Sequence, residues 1–180
     1  DMDFYTRPSR FTSRNLSLRT TSIFTARGCP YSCNYCAGPL MFAGKVRFHS
    51  PQRVISEINE LVNSYSVEAI YFAEDMFLNN KARAKCFMDL LMDSGLNKKI
   101  KWFAQIRSNV VDEGLLRLMK AAGCVHVEYG FESGSQRILD MMGKKVGLED
   151  NLYAAKITRN AGLRFQANII EGYPGEREED

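Results

Sequence analysis

Short apolar runs alternate with amphipathic segments along the chain from residue 21 onward. Five runs rich in β-branched and aromatic residues predict strands, at residues 21–26, 68–73, 100–106, 125–131 and 165–170. Between them, apolar residues recur at helical spacing. Val54, Ile58 and Leu61, for example, follow a serine–proline pair at 50–51 that is typical of a helix start. Residues 87–91 and 115–122 show the same spacing, so the pattern predicts a repeating strand–helix unit.

Three of the predicted helices end at a glycine. Gly95, Gly123 and Gly162 each come just before the next apolar run, where glycine can adopt the left-handed conformation that closes a helix. Parallel strands joined by helical crossovers form either a βα barrel or an open doubly wound sheet. Five strands are too few for a closed eight-stranded barrel. We therefore expect an α/β fold of about five βα units with parallel strands, either part of a (β/α) barrel or an open doubly wound sheet.

The composition fits one globular domain. The chain has 180 residues, of which 45% are hydrophobic, and its formal net charge is only +3. The charge alone therefore implies no nucleic-acid partner. No apolar run approaches the roughly 20 residues that a membrane-spanning helix needs, and no secretory signal precedes the first strand. We expect a cytoplasmic protein that does not contact the membrane.

Two regions of the chain differ in organisation. Residues 1–20 lack clean periodicity and are interpreted as a linker from an upstream domain. Residues 21–180 carry the strand–helix repeat, and a strand-to-helix turn at 172–175 comes shortly before the last residue. We therefore expect a core domain over residues 21–180 that is truncated after its fifth strand.

Three of the five cysteines lie close together, at Cys29, Cys33 and Cys36. An odd number of cysteines with this crowding indicates a metal site in a reducing compartment more than a disulfide framework. Iron–sulfur clusters are usually held by four cysteines, so a set of three suggests a cubane with one iron open to a ligand that is not protein. Cys86 and Cys124 lie apart and are interpreted as small buried hydrophobic residues.

Polar residues follow or occupy the ends of the predicted strands. In barrels and doubly wound sheets alike, chemistry collects at the carboxyl ends of parallel strands. Any one of these residues has a simpler explanation, since a carboxylate after a strand often caps the next helix. Together they surround the cysteine loop, and they are Arg27, Glu74, Asp75, Gln105, Arg107, Glu132 and Asn168.

The cysteine spacing, Cys29-x3-Cys33-x2-Cys36 with the aromatic Tyr35 before the last cysteine, resembles that of the radical S-adenosylmethionine (SAM) superfamily. Segments 72–77, 130–135 and 172–176 resemble the family's motifs after the second, fourth and fifth strands. The resemblance covers nearly the whole chain from residue 21. It implies a partial (β/α) TIM-type barrel of parallel strands, with about five βα units visible of a six-unit core. Segments 25–31 and 139–145 are most similar to the subgroup that carries a cobalamin-binding domain before the core.

The resemblance implies a radical SAM enzyme. The three cysteines would bind a [4Fe-4S] cluster, and the open iron would be chelated by the amino and carboxylate groups of SAM. One electron would then cleave SAM to methionine and a 5′-deoxyadenosyl radical, which abstracts hydrogen from a substrate. A reductant such as flavodoxin or ferredoxin, a small-molecule substrate and cobalamin held by a missing domain are implied as partners.

The resemblance also implies roles for residues around the cysteines. Tyr35 would lie near the adenine, and Glu74 or Asp75 would meet the methionine amino group although the segment departs from the commoner Gly-Gly-Glu form. Glu132 would bind the ribose, and Lys144 the methionine carboxylate. The full set expected to bind the cofactor is Tyr35, Ala73, Glu74, Asp75, Gln105, Arg107, Glu132, Lys144 and Asn168.

Three alternatives stay open at this point. The first is a methylthiotransferase-like enzyme that modifies tRNA or protein. The second is a structural zinc site on the same cysteines. Structural zinc sites have four ligands, however, and the nearest histidine, His49, lies thirteen residues after Cys36. The third is a non-catalytic iron–sulfur carrier or an RNA-binding module, favoured only by the basic residues Arg7, Arg10, Arg14 and Arg19, which a solvated linker explains equally well.

Overall fold

A computed structural model describes residues 18–180 of the chain. Positions 1–17 of the predicted linker lie outside these residues. Among the residues described, no helix is both long enough and apolar enough to cross a membrane.

Seven strands and six α-helices make up the described part of the chain. The strands are β1 (Thr20–Ile23), β2 (Ala26–Arg27), β3 (Arg47–Phe48), β4 (Ala69–Phe72), β5 (Lys101–Ile106), β6 (Cys124–Glu132) and β7 (Arg164–Ile169). The helices are α1 (Gly38–Phe42), α2 (Pro51–Tyr65), α3 (Lys81–Asp93), α4 (Glu113–Ala121), α5 (Gln136–Met141) and α6 (Leu148–Asn160).

Five of the strands form one parallel sheet in the order β1-β4-β5-β6-β7. This order follows the chain without reversing, whereas a doubly wound sheet changes direction at a switch point. The topology is therefore that of a partial (β/α) barrel, as predicted. The last four of these strands start and end within one residue of the predicted limits.

The helix ends also agree with the sequence pattern. The Ser50 hydroxyl caps α2 by accepting a hydrogen bond from the backbone N–H of Arg53 at 3.3 Å. The three predicted terminal glycines all have positive φ, at 71° for Gly95, 97° for Gly123 and 71° for Gly162. Gly123 and Gly162 lead into the next strand, and Gly95 leads into a short 3-10 helix at Leu96–Lys98 before β5, each at little conformational cost.

Two predictions from the pattern are wrong in detail. The expected strand at 21–26 is split, because β1 ends at Ile23 and Ala26–Arg27 pairs antiparallel with β3. The N–H groups of Thr25 and Ala26 bind the Glu74 carboxylate, which takes them away from the parallel sheet. Cys86 is exposed because it lies on the solvent side of α3, whereas Cys124 is buried as expected.

The hydrophobic core lies between the outer face of the sheet and the helices. Its centre is a group of aromatic rings around Phe72, whose centroid lies 5.0 Å from that of Phe77 and 5.4 Å from those of Phe87 and Trp102. The opposite, concave face of the sheet carries polar side chains, and there the Tyr71 hydroxyl lies 3.4 Å from the Glu128 carboxylate. One face of the sheet therefore packs the hydrophobic core, and the other carries polar groups.

The aromatic group gives a stability prediction. Phe72 is fully buried, so Phe72→Ala should lower the free energy of unfolding by about 3–5 kcal/mol through lost contacts and a residual cavity. The matched control is Leu152→Ala on α6, where the side chain is 63% exposed and the change should stay within about 0.5 kcal/mol. Urea unfolding of both variants measures the difference, and equal costs would contradict this assignment of the core.

Candidate functional site

The three clustered cysteines line one cavity at the carboxyl ends of the central strands. Cys29, Cys33 and Cys36 come from the loop between β2 and α1, and residues after β4 and at or after the carboxyl ends of β5 and β6 complete the wall. Nine of the twelve residues predicted for the site line this cavity: Cys29, Cys33, Tyr35, Cys36, Asp75, Gln105, Arg107, Glu132 and Lys144. Met76, Ile106 and Gly130 line it as well.

The cysteines share a cavity without converging on a point. Within residues 18–180, no three or more Cys, His, Asp or Glu side chains form a group that could hold a single metal ion. A cubane takes one cysteine per iron, so its ligands need not meet at one centre. Cys36 also accepts a hydrogen bond at sulfur from the backbone N–H of Gly38, at 3.3 Å. Three cysteine thiols in one cavity are the donor type that iron–sulfur clusters take.

A buried ion pair forms one wall of the cavity. The Lys144 ammonium lies 2.6 Å from the Glu132 carboxylate, and the two residues are only 4% and 8% exposed. The Tyr35 hydroxyl donates to the same carboxylate oxygen at 2.9 Å. Burial and the neighbouring Glu132 raise the pKa of Tyr35. Burial lowers the pKa of Lys144, while Glu132 opposes that shift.

A β-bulge places Glu132 in this position. The register between β6 and β7 shifts between Gly130 and Glu132, and Glu132 has φ of 65°. Bulges commonly redirect a side chain beside an active site. Gly130 leaves the necessary room, because a β-carbon there would lie 2.8 Å from the Lys144 nitrogen. The backbone of β6 is thus shaped around the Glu132–Lys144 pair.

Arg107 faces the cysteine loop from the end of β5. Its guanidinium carbon lies 3.8 Å from the centroid of the Tyr31 ring, and Nη1 donates to the Cys33 sulfur at 3.5 Å. Nη2 donates to the backbone carbonyl of Lys144. Arg107 therefore connects the cysteine loop to the segment that carries Lys144.

The two neighbouring acids after β4 have different surroundings. Glu74 is 2% exposed and accepts hydrogen bonds from the Thr25 N–H at 2.6 Å, the Thr25 hydroxyl at 2.7 Å and the Ala26 N–H at 3.3 Å. Arg83 supports the same strand end by donating to the Thr25 carbonyl at 2.8 Å. Asp75, by contrast, is exposed and lines the cavity. Glu74 holds the start of the cysteine loop, and Asp75 is the acid that a ligand could reach.

Three predicted residues do not line the cavity. Glu74 is engaged with Thr25, Ala73 lies beside it, and the Asn168 side chain on β7 accepts a hydrogen bond from Gln166 at 2.5 Å. Asn168 is paired in register with Gly130, one strand away from the cavity wall.

Sequence reasoning missed several residues that support the site. Thr25, Tyr31 and Arg83 position the cysteine loop or its partners, and Asn34 ties the loop to residues 141–142 through its backbone N–H and its side chain. Tyr31 and Asn34 carried a usable signal, since both lie within the cysteine segment. The contacts of the others join positions far apart in the chain.

The Glu74 network predicts a specific stability loss. Glu74→Ala should lower the free energy of unfolding by about 1–3 kcal/mol, because the buried N–H groups of Thr25 and Ala26 lose their acceptor. Glu113→Ala on α4, which removes an exposed carboxylate paired with Arg117, should change it by about 0.5 kcal/mol or less.

The same carboxylate predicts a pH dependence. Burial raises the pKa of Glu74 above its ordinary value of 4.5, although its hydrogen bonds to Thr25 and Ala26 oppose the shift. The folded chain therefore keeps this proton to a higher pH than the unfolded chain. From about pH 4.5 up to the raised pKa, the Glu74 contribution to stability falls as the pH rises. Glu74→Gln should remove that part of the slope in urea titrations, and an unchanged slope would contradict the assignment.

Comparison with known proteins places this architecture in a family. The profile of the radical SAM superfamily matches residues 23–180. An uncharacterised methyltransferase of Pyrococcus horikoshii is 36% identical over 158 residues, covering 88% of this chain and 34% of that protein. The anaerobic magnesium-protoporphyrin IX monomethyl ester cyclase of Cereibacter sphaeroides is 31% identical over 166 residues, covering 91% of this chain and 27% of that protein.

Two further similarities extend the comparison. The tRNA-2-methylthio-N(6)-dimethylallyladenosine synthase of Clostridium novyi is 30% identical over 162 residues, covering 85% of this chain and 35% of that protein. The solved structure of the radical SAM methyltransferase TsrM from Kitasatospora setae, with cobalamin and a [4Fe-4S] cluster bound, has a TM-score of 0.81 at 20% identity. That alignment covers 91% of this chain and 33% of that one, and at this identity it shows the fold alone.

The chain thus spans only about a third of these relatives, or less. The profile match nevertheless extends over nearly all the described residues and includes the cysteine loop and the cavity wall. The chain belongs to the radical SAM superfamily.

Proposed function

We propose that this chain is the radical-generating core of a longer enzyme, which binds a [4Fe-4S] cluster and SAM and uses them for methylation or ring formation with cobalamin. One observation carries the proposal. The three cysteines share a cavity with an acid, a buried cation and hydrogen-bonding groups, which is the inventory that SAM requires. When bound, the cluster supplies the electron that cleaves SAM to methionine and a 5′-deoxyadenosyl radical.

The cavity residues match the chemical groups of SAM. In this proposal Asp75 pairs with the methionine ammonium and Lys144 with the methionine carboxylate, since both line the cavity. Glu132 can accept hydrogen bonds from the ribose hydroxyls, and Tyr35 provides an aromatic ring for the adenine. Hydrogen bonds to charged groups contribute about 1.5–3 kcal/mol each, so a few suffice to hold the ligand while iron chelation orients it. The protein's role is to position a cofactor that performs the difficult chemistry.

The assignment to cobalamin chemistry starts from segments 25–31 and 139–145, which are most similar to the subgroup with a cobalamin-binding domain. It agrees with the fold shared with TsrM, which is described with cobalamin bound, and with the methyltransferase and cyclase among the similar proteins. In this proposal the cobalamin-binding part lies outside the 180 residues, the substrate is a small molecule, and a flavodoxin or ferredoxin supplies the electron.

A methylthiotransferase-like activity on tRNA is the second candidate, favoured by the similarity to the Clostridium novyi enzyme. The two candidates differ in what the full-length protein binds. Cobalamin that copurifies or reconstitutes with it, seen in the visible spectrum, supports the first. Absence of cobalamin binding together with methylthio transfer to tRNA would establish the second.

The cluster ligands are tested by a pair of cysteine variants. After anaerobic reconstitution with iron and sulfide, Cys33→Ala should lose the iron–sulfur absorbance and all 5′-deoxyadenosine formation in the full-length protein. Cys86→Ala is the matched control, because this exposed cysteine lies on α3 away from the cavity and should leave both unchanged. A cluster that survives in Cys33→Ala would contradict the ligand assignment.

The two acids after β4 are tested by SAM binding. Asp75→Asn should raise the Kd for SAM about tenfold or more, the loss of one charged hydrogen bond, without affecting stability, since Asp75 is exposed. Glu74→Gln should lower the free energy of unfolding, because Glu74 is buried and hydrogen-bonded. Molecules of this variant that retain a cluster should bind SAM with a nearly unchanged Kd. Equilibrium binding and urea unfolding separate the two effects, and a larger Kd change in Glu74→Gln would reverse the roles.

A further inference from the structure

Arg107 makes a contact that SAM binding does not require. It is 8% exposed, and its Nη1 lies 3.5 Å from the sulfur of Cys33. The Tyr31 ring covers the guanidinium face at 3.8 Å. Tyr31 and Cys33 belong to the same loop, so one segment supplies both the sulfur and the aromatic surface that holds the cation against it.

The other N–H groups of Arg107 also have hydrogen-bond partners. Nη2 donates to the Lys144 carbonyl, and Nε lies 3.4 Å from the Asn109 side-chain oxygen. A guanidinium is a rigid planar fork, so these partners fix its orientation. Lys144 points its ammonium instead at Glu132, at 2.6 Å. The two buried cations therefore face different groups, Lys144 a carboxylate and Arg107 a cysteine sulfur.

We propose that Arg107 is a positioning residue for the iron–sulfur cluster, which raises its reduction potential by holding a fixed positive charge against the Cys33 sulfur. The inference rests on the proposed function, since it needs a cluster on the three cysteines. Reduction adds one negative charge to a cluster, and hydrogen bonds to the ligand sulfurs together with nearby charge set its potential. In a buried site such a charge is weakly screened, so it favours the reduced form more than an exposed charge would.

This role is more specific than the sequence prediction, which places Arg107 only among the residues that bind the cofactor. The alternative role is that of a cation for the SAM carboxylate, in the manner of Lys144. A cation that acts only on SAM changes SAM affinity and leaves the SAM-free cluster untouched. A cation that acts on Cys33 changes the cluster before SAM is added. The reduction potential without SAM is therefore the quantity that separates them.

The experiment compares three variants of the full-length, reconstituted protein without SAM. Redox titration with dithionite and mediators, followed by electron paramagnetic resonance of the reduced cluster, gives each midpoint. In Arg107→Gln, at the wild-type midpoint potential, the ratio of reduced to oxidised cluster should fall about tenfold, which is ~59 mV for a one-electron couple. In Arg107→Lys this ratio should fall less, because lysine keeps the positive charge but lacks the planar guanidinium that fixes its orientation. Arg117→Gln removes an exposed charge on α4 and should leave the midpoint potential unchanged.

The outcomes are distinct. Wild-type protein that binds no cluster overturns the proposed function itself. A cluster with an unchanged midpoint in Arg107→Gln overturns the inference alone, whether or not its SAM affinity falls. If Arg107→Gln takes up no cluster, Tyr31→Leu replaces it, with Tyr31→Phe as control: the leucine variant should shift to lower potential and the phenylalanine variant should not. An unshifted Tyr31→Leu would then overturn the inference.

Discussion

The geometry of the site depends on one carboxylate that is not expected to touch a ligand. Glu74 leaves the end of β4, enters the core and accepts three hydrogen bonds from Thr25 and Ala26. Those two residues would otherwise continue β1, and the carboxylate instead turns them toward the short β2–β3 pair. The cysteine loop starts four residues after Thr25. Its first anchor is therefore this buried acid, supported by Arg83.

The far side of the loop is held by different chemistry. Asn34 hydrogen-bonds to the backbone of residues 141–142, and Arg107 bridges Tyr31, Cys33 and the Lys144 carbonyl. The cysteines are thus fixed between the first strand and the segment after β6. A set of three thiolates has to be oriented by its surroundings, since it lacks the fourth protein ligand that would complete a closed site. The same contacts place Lys144 and Glu132 opposite the cysteines.

The fold was predictable because its determinants are local. Strand limits, the Ser50 cap and the three terminal glycines depend on residues close in the chain, and parallel topology brought the strand-end residues into one cavity. The errors have non-local causes. Glu74 and Asp75 are adjacent and chemically alike, and only the position of Thr25, 49 residues away, decides which one is buried. The positive φ of Glu132 and the direction of Arg107 likewise depend on packing between distant segments.

The central claim is that SAM binds at the iron that the three cysteines leave open. Coupling between SAM and the cluster spin tests this claim directly. Full-length protein with a reconstituted, reduced cluster is mixed with SAM labelled with nitrogen-15 at the amino group and oxygen-17 at the carboxylate, and electron–nuclear double resonance is recorded. The account predicts hyperfine coupling of both labels to the cluster spin. A cluster that binds SAM with neither coupling, or one whose spectrum is unchanged by SAM, would contradict it.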